Sequence, residues 1–207
     1  MKEYHKIQTV FLRDPATKYK TLLEGKFAKP EFEYLKENSW LFTEKIDGTN
    51  IRVQWDGEQV TFAGKTDRAD TPPFLLKKLA ELFQAEAFRL NDLPSLCLYG
   101  EGYGAKIQKG GGNYIPDGVN FILFDVNIDG IWLERHNVED IADKLHIQTV
   151  PIVGKGTLQD GVEMVRQGYE SRLRETPPEG IVMRSEIELF NRRGERVISK
   201  IKMKDFR

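Results

Sequence analysis

The 207-residue chain contains a single cysteine, Cys97, which excludes an intrachain disulfide framework. It has no apolar stretch long enough to span a bilayer, and no signal-like apolar core follows its first residues. Its histidines, His5, His136 and His146, show no metal-ligand spacing, and no Pro/Ser-rich linker or low-complexity tract divides the sequence. These absences predict a soluble cytoplasmic protein with one domain over residues 1–207 and no membrane partner.

The sequence also lacks an excess of positive charge. Its 31 Lys and Arg nearly balance its 32 Asp and Glu, giving a formal net charge of −1. A domain that binds nucleic acid through its overall charge is usually strongly basic. Any contact with nucleic acid must therefore use a local cluster of cations, and net charge identifies no partner.

Short runs rich in Val, Ile, Phe and Tyr, separated by turn residues, dominate the sequence. They predict strands at about 40–46, 50–56, 58–64, 96–101, 120–128, 180–184 and 196–202. Helical periodicity predicts helices at about 73–89, at 137–145 after a capping Asn137, and at 158–174 after Thr157. Because strands and helices do not alternate regularly, the pattern predicts an α+β fold with antiparallel sheets flanked by helices.

The stretch Glu44-Lys45-Ile46-Asp47-Gly48-Thr49-Asn50 places a lysine between carboxylates and just before a glycine. A lysine amine is a nucleophile only when it is neutral, and a free lysine, with a pKa of about 10.4, is protonated at neutral pH. The pattern K-x-D-G occurs by chance in roughly a few per cent of chains of this length. An Asp-Gly pair between two apolar runs is also typical of a hairpin turn. On this motif alone, the hairpin turn is the favoured interpretation.

Further segments, in order along the chain, carry residue types that nucleotide chemistry needs. They supply a lone acid among glycines, two aromatics three apart and thus on opposite strand faces, an acid before a buried strand, and two lysines on one strand face. These residues are Glu101, the pair Phe121 and Phe124, Glu179, and the pair Lys200 and Lys202. Each has an ordinary explanation as strand exit, core, turn or edge strand, but their joint occurrence favours a nucleotidyl transferase.

A basic, glycine-rich loop follows Glu101. Lys106 and Lys109 precede the run Gly110-Gly111-Gly112. The G-x-G-x-G spacing, with no helical pattern directly after it, excludes a dinucleotide-binding fingerprint. The loop could approach a phosphate backbone, and a solvated loop is an equally good interpretation.

Taken in order, these segments resemble the collinear motifs of the covalent nucleotidyltransferases, which comprise polynucleotide ligases and mRNA capping enzymes. The first motif of the RNA ligase 2 family, Glu-Lys-x-x-Gly-Thr-Asn, matches residues 44–50. DNA ligases typically carry arginine where Asn50 stands. The resemblance runs from about residue 4 to 206 and implies a ligase-type nucleotidyltransferase (adenylation) domain with ATP-dependent RNA ligase activity.

The resemblance also implies a mechanism. Lys45 would attack the α-phosphorus of ATP, expel pyrophosphate and form a covalent lysyl-AMP. The AMP would pass to a 5′-phosphate end, and a 3′-hydroxyl would then seal the RNA, or a DNA strand. Lys200 and Lys202 would bind the α-phosphate, and their positive charge would favour a neutral amine beside them.

The remaining site residues are likewise implied by the resemblance. Mg²⁺ or Mn²⁺ would be held largely through waters, because magnesium dehydrates reluctantly. The implied nucleotide contacts are Glu44 and Phe121 at the adenine, Glu101 at the ribose, and Asn50, Lys65 and Glu179; the implied metal carboxylates are Asp47, Glu101 and Glu179; and the implied nucleic-acid contacts are Lys65, Arg68, Lys106 and Lys109.

The sequence departs from the family in two ways. Lys65 stands where the nearest family has arginine, so a bidentate contact becomes a single-point contact, for which Arg68 could compensate. The sequence ends at Arg207, where the RNA ligase 2 family continues into a helical domain. We therefore expect sealing to need a partner protein, another subunit or a pre-aligned nick.

Two alternatives remain open: a small ATP-dependent DNA ligase, and a noncatalytic nucleotide- or RNA-binding module with the same fold. A capping guanylyltransferase is disfavoured because no oligonucleotide-binding domain follows, a domain that DNA ligases usually have too. Loss of Lys45, of a motif acid or of the final lysine pair would mark the binding module. All of these residues are present.

Overall fold

The computed structural model describes residues 2–206, which divide into two compact units. The first unit contains residues 2–5 and Asp47–Val150, and the second contains Lys6–Ile46 and residues 151–206. The boundary between Ile46 and Asp47 falls inside the motif of residues 44–50 that contains Lys45. The catalytic-lysine candidate and the acid two residues after it therefore belong to different units.

The strands are β1 (Gln8–Thr9), β2 (Phe11–Arg13), β3 (Leu22–Phe27), β4 (Trp40–Lys45), β5 (Thr49–Trp55), β6 (Val60–Ala63), β7 (Leu96–Gly104), β8 (Val119–Ile128), β9 (Ile131–Trp132), β10 (Gln148–Thr149), β11 (Ile152–Gly156), β12 (Gly180–Ser185) and β13 (Ile198–Lys202). The α-helices are α1 (Pro30–Tyr34), α2 (Pro73–Leu82), α3 (Ala85–Leu90), α4 (Arg135–Lys144) and α5 (Leu158–Gln167). Short 3-10 turns lie at Pro15–Thr17, Gly111–Asn113 and Met203–Phe206.

The second unit is built on a five-stranded sheet in the order β1-β13-β12-β4-β11. Its pairs are antiparallel except β1 with β13, and β2 with β3 forms a separate antiparallel pair. Apolar residues of one sheet face, such as Phe42 and Ile181, pack with Val162 of α5 and Phe32 of α1 into a core. Since side chains alternate along a strand, the lysines of β4 and β13 lie on the opposite face.

The first unit contains a sheet in the order β10-β8-β7-β5-β6, to which β9 adds by pairing with β8. All pairs are antiparallel except β10 with β8. One sheet face packs on α2, α3 and α4, so that Ile51 and Leu98 share a core with Leu79, Phe88 and Val138. The opposite face carries polar side chains such as Asn50 and Glu101 together with an aromatic cluster around Tyr99.

The α+β fold class with mainly antiparallel sheets and flanking helices is confirmed. All the predicted strands are present, with ends shifted by up to three residues. Sequence periodicity did not identify strands β1, β2, β3, β9, β10 and β11 or helix α1. None of the helices in the described part of the chain is long and apolar enough to cross a membrane.

Each predicted helix differs from the observed one for a local reason. The 73–89 helix is divided at Phe83, whose ring turns into the core against Phe121. The 137–145 helix begins at Arg135, because the Arg135 guanidinium binds Glu139 and Thr149 and so fixes the first turn before the expected cap. The 158–174 helix begins after Thr157, as predicted, with a capping box at that residue, but it ends at Gln167, because the next residue, Gly168, has φ 86°.

Candidate active site

Lys45, Glu179 and Lys202 meet on the face of the second-unit sheet opposite its core. The Lys45 Nζ donates a hydrogen bond of 2.6 Å to Oε2 of Glu179, and the Lys202 Nζ pairs with Oε1 of the same carboxylate. Their side chains are 21%, 16% and 20% exposed, respectively. The three groups are therefore held in one partly buried cluster that is still accessible to a ligand.

Strand register explains this arrangement. Gly180 pairs with Lys45 on one side and with Lys202 on the other, so the two lysines lie at the same level of three adjacent strands. A Cβ at Gly180 would lie 2.1 Å from the backbone oxygen of Ile201, and its φ is 153°. Only glycine allows this close approach beside Glu179.

The same sheet face carries further cations. Val182 pairs with both Thr43 and Lys200, so Lys200 projects from the same face as Lys202. Arg184, which is 7% exposed, follows two residues later on β12 and shares that face. Such a concentration of cations in a partly desolvated site attracts a phosphorylated ligand.

Glu179 remains ionised in this environment. Burial alone would raise the pKa of its carboxyl, but the charge of Lys45 and the hydrogen bonds from Lys202 and Lys45 outweigh burial. The net effect lowers the pKa of Glu179 below its ordinary value. At neutral pH the carboxylate therefore holds both ammonium groups and is a weak proton acceptor.

Glu44, on the core side of β4, has a different environment. Its side chain is 1% exposed, and its carboxylate accepts hydrogen bonds from the Ser171 hydroxyl and from the Arg172 backbone N–H at 2.9 Å. The Ser171 Oγ in turn accepts hydrogen bonds from the backbone of Leu173 and Arg174. Glu44 thus anchors the segment that follows α5, and its predicted contact with adenine stays a prediction.

In the first unit, Asn50 and Glu101 face each other across β5 and β7. Gly48 lies against this pair, since a Cβ there would be 2.7 Å from Cγ of Glu101 and 2.3 Å from the oxygen of Gly102. The neighbouring Asp47 N–H donates to the Tyr114 hydroxyl at 3.1 Å. The Asn50 Oδ1 is buried without a hydrogen-bond partner among the described residues, so this group has an acceptor left for a ligand.

The two phenylalanines of β8 lie on opposite faces, as predicted. Phe121 is 1% exposed and packs edge-on against Phe83 in the core. Phe124 is partly exposed and packs with Tyr99 and Tyr4, on the face of β7 that also carries Glu101. Phe124 is the extra residue of a β-bulge, because Asp125 and Leu123 pair with successive residues of β7.

This placement bears on base stacking, which requires an accessible ring face. The ring of Phe121 is inside the first-unit core, where a Cβ at Gly100 would lie 2.1 Å from it. It is therefore inaccessible to a base in this structure. Among the aromatics of β8, Phe124 is the one with an exposed surface.

The cations predicted to contact nucleic acid, Lys65, Arg68, Lys106 and Lys109, are all exposed on the first unit. Arg52 fixes the loop that carries two of them: its fully buried guanidinium donates to the Gly64 oxygen and to Asp67, both at 2.8 Å. Hydrogen bonding to Arg52 and its charge lower the pKa of Asp67. The structure brings these cations to the surface but leaves their role a prediction.

The predicted metal carboxylates are distributed over both units, with Asp47 and Glu101 on the first and Glu179 on the second. Within residues 2–206 no group of three or more His, Cys, Asp or Glu side chains is arranged to hold a metal ion.

A family model described as RNA ligase matches residues 38–202, which include both lysine segments and the acids Asp47, Glu101 and Glu179. The chain belongs to the RNA ligase family. The resemblance noted in the sequence is thus confirmed, whereas no curated protein matches the chain.

Solved structures of an RNA ligase from Naegleria gruberi resemble this family member. The complex with pyrophosphate matches with a TM-score of 0.70 at 17% identity and covers 98% of this chain and 56% of the other. A point mutant with ATP and Mn matches with a TM-score of 0.66 at 19% identity; the match covers 84% of this chain and 52% of the other. A second point mutant, with AMP and Mn, matches with a TM-score of 0.65 at 17% identity; the match covers 97% of this chain and 57% of the other. At these identities the likeness shows the nucleotidyltransferase fold, and the chain spans slightly more than half of the solved ligase.

Several residues at the candidate site of this RNA ligase domain were not predicted from the sequence. Arg184 sits in a strand where arginine could as well point to solvent, and its burial depends on sheet register. Ser171 and Tyr114 act through hydrogen bonds to Glu44 and Asp47 that cross large sequence separations. Phe124 was recognised as one of two aromatics on β8, but the adenine contact was assigned to Phe121.

Proposed function

We propose that this protein is an ATP-dependent RNA ligase that joins 3′-hydroxyl and 5′-phosphate ends through lysyl-AMP and an adenylylated RNA end. The observation that carries the proposal is the cluster of Lys45, Glu179 and Lys202 on a cationic sheet face, in a chain of the RNA ligase family. The solved relatives bound to ATP and Mn, to AMP and Mn, and to pyrophosphate support the same chemistry.

In the first step, Lys45 Nζ attacks the α-phosphorus of ATP. An N–P bond forms, the bond from the α-phosphorus to the pyrophosphate oxygen breaks, and pyrophosphate leaves. Lys45 must first give up the ion pair seen with Glu179 and lose a proton, and a second proton leaves as the phosphoramidate forms. Lys200 and Lys202 hold the phosphates at the point of attack and stabilise the charge that develops there.

Polar and aromatic residues of the first unit are the proposed contacts of the nucleoside, and Glu44 remains a proposed contact of the adenine. The Asn50 Oδ1 lies opposite Glu101 and has no hydrogen-bond partner among the described residues, so it can accept a hydrogen bond from a ribose hydroxyl. We propose Phe124 rather than Phe121 as the residue that stacks on adenine, because its ring is accessible and shares the sheet face of Glu101. Lys65 remains a proposed phosphate contact.

A divalent cation, Mg²⁺ or Mn²⁺, is part of the proposal. The oxygen ligands suited to it are the carboxylates of Asp47, Glu101 and Glu179. Because magnesium dehydrates reluctantly, they would hold the ion through water molecules and phosphate oxygens. When bound, the ion would neutralise charge on the phosphate oxygens of ATP.

RNA is the proposed substrate because of the family, and Lys65, Arg68, Lys106 and Lys109 are its proposed contacts on the first unit. The solved ligases are nearly twice as long as the matched region.

A sealing assay tests this function. Purified protein is mixed with ATP, Mg²⁺ and a labelled duplex that contains one nick with a 3′-hydroxyl and a 5′-phosphate, in RNA and in DNA form. Conversion of the RNA nick to a longer strand, dependent on ATP and lost in Lys45→Ala, is the expected result. Sealing of the DNA form alone, or no adenylylated end in either, would contradict the proposal.

A further inference from the structure

A cationic groove runs along β13, the strand of the second unit that carries Lys200 and Lys202. It is a cavity of about 1010 Å³ bounded by β1, by the segment 12–21 and by the end of β13. Its lining includes Lys200 and Lys202 at one side and three further lysines, Lys6, Lys20 and Lys204. We call this cavity the lysine groove.

Positive charge is concentrated in the lysine groove although the whole chain is slightly acidic. Lys6, Lys20 and Lys204 are exposed, and none of them forms an ion pair with a residue that the structure describes. The one acid in the lining, Asp205, is buried and bound to Arg13 at 2.7 Å. The three ammonium groups are thus available to an anion.

Arg13 and Asp205 tie the wall of the groove to the lysine strand. The Arg13 guanidinium binds the Asp205 carboxylate and the backbone oxygens of Tyr19 and Lys20, at 3.4 and 3.3 Å. The other oxygen of Asp205 accepts a hydrogen bond of 2.9 Å from the backbone N–H of Lys202. The loop that carries Lys20 is therefore fixed relative to the proposed phosphate-binding lysines.

Tyr19 presents an aromatic ring at the edge of the groove. Its side chain belongs to a residue that is 63% exposed, and both Lys18 and Tyr19 adopt left-handed backbone conformations, with φ of 56° and 61°. Such conformations are unfavourable for residues other than glycine and persist only where surrounding contacts impose them. The Tyr19 N–H is held by the Asp14 oxygen at 2.9 Å. An exposed tyrosine fixed in this way beside several lysines is typical of a surface that binds single-stranded nucleic acid.

We propose that the lysine groove binds the sugar-phosphate backbone of the RNA strand, with Lys6, Lys20 and Lys204 on its phosphates and Tyr19 stacked on an unpaired base. The inference rests on the proposed function, since it locates the substrate of that reaction on the second unit. RNA fits better than the triphosphate of ATP, because Lys200 and Lys202 are the proposed contacts of the latter and a triphosphate offers no ring to stack on Tyr19.

The test measures RNA affinity by fluorescence anisotropy with a 5′-phosphorylated, fluorescein-labelled RNA oligonucleotide over a range of salt concentrations. The variant K6Q/K20Q/K204Q is compared with K26Q/K36Q/K77Q, which removes the same charge from exposed lysines outside the groove. Loss of three phosphate contacts should reduce the slope of log affinity against log salt by about 2, whereas the control keeps the slope of the native protein.

A second pair of variants tests whether the Tyr19 ring contributes to RNA binding. Tyr19→Ala should weaken RNA binding at least about fivefold, as expected for loss of one stacked base. Tyr34→Ala, which removes a tyrosine that is 87% exposed on α1, should leave it unchanged. Melting temperatures of all variants are measured, and both pairs change only surface side chains.

AMP labelling by ATP separates the possible outcomes. Labelling should be the same in K6Q/K20Q/K204Q and in the native protein. Reduced labelling with unchanged RNA affinity would assign the groove to the triphosphate and overturn the proposal, as would no RNA binding by the native protein or equal effects of both lysine triples. If the native protein is never labelled but RNA binding still depends on the groove, the proposed ligase function fails and the groove assignment stands.

Discussion

Replacing Glu179 by glutamine should reveal how strongly one carboxylate holds the two lysines together. The carboxylate accepts from Lys45 at 2.6 Å and pairs with Lys202 through its other oxygen. An amide at this position has one oxygen to accept with and an NH₂ group that would face an ammonium. Glu179→Gln therefore removes one charge-assisted hydrogen bond and leaves two like charges close together.

The expected loss follows from this geometry. A hydrogen bond to a charged group contributes about 1.5–3 kcal/mol, and the side chains here are about one-fifth exposed, so solvent screening reduces the value. We expect the free energy of unfolding to fall by about 2 kcal/mol, which lowers Tm by about 4–8 °C in a chain of this size.

The effect should depend on pH. Because the folded-state pKa of Glu179 is lowered, its contribution is complete above the unfolded pKa, about 4.3, and is lost as pH falls through the folded value. The difference in Tm between native protein and Glu179→Gln should thus be largest near pH 7 and shrink below about pH 4.

Glu186→Gln is the matched control. Glu186 pairs with Lys155 at 2.7 Å, but their side chains are 50% and 53% exposed, so its loss should cost less than about 1 kcal/mol. Differential scanning fluorimetry of the three proteins between about pH 2 and about pH 7, a range that extends well below the unfolded pKa of about 4.3, makes the comparison. Equal small losses in both variants, or a difference that does not change with pH, would refute the reasoning.

Three further changes test other parts of the site. Gly180→Ala should lower the free energy of unfolding in urea by at least about 2 kcal/mol, because the new Cβ would lie 2.1 Å from the Ile201 oxygen. A loss within about 0.5 kcal/mol, the range of ordinary surface changes, would contradict this close approach. Phe124→Leu should raise the ATP concentration needed for half-maximal labelling with little change in Tm, and Phe121→Leu should do the reverse; the opposite pattern would restore Phe121 as the stacking residue. Ser171→Ala should cost about 1–2 kcal/mol by leaving the buried Glu44 carboxylate short of a donor, and an unchanged urea midpoint would show that water replaces the hydroxyl.

The parts of the fold that sequence could predict are those fixed by local alternation. In β4 the apolar Trp40 and Phe42 alternate with residues of the other face, so a strand that presents Lys45 away from the core follows from the pattern alone. The order of the motifs likewise identified the family. Short strands such as β1 and β10 were not found, because two residues carry no periodicity and depend on their partners.

The arrangement of the site could not be predicted in the same way. The Lys45–Glu179–Lys202 cluster depends on a register in which Gly180 pairs with both lysines, and register is a property of three strands together. Which aromatic of β8 is accessible depends on which sheet face the helices cover, and Phe121 lies on the covered face, against Phe83. Both features join residues distant in sequence.

The most direct test of the central claim is the intact mass of the protein after incubation with ATP and Mg²⁺, followed by peptide mapping. GTP and NAD are run in parallel, and protein that carries AMP from expression is first stripped with pyrophosphate. The account predicts an added mass of one AMP, from ATP, located on Lys45 and absent from Lys45→Ala. No adduct from folded, unmodified protein, or an adduct on another residue that persists in Lys45→Ala, would contradict it.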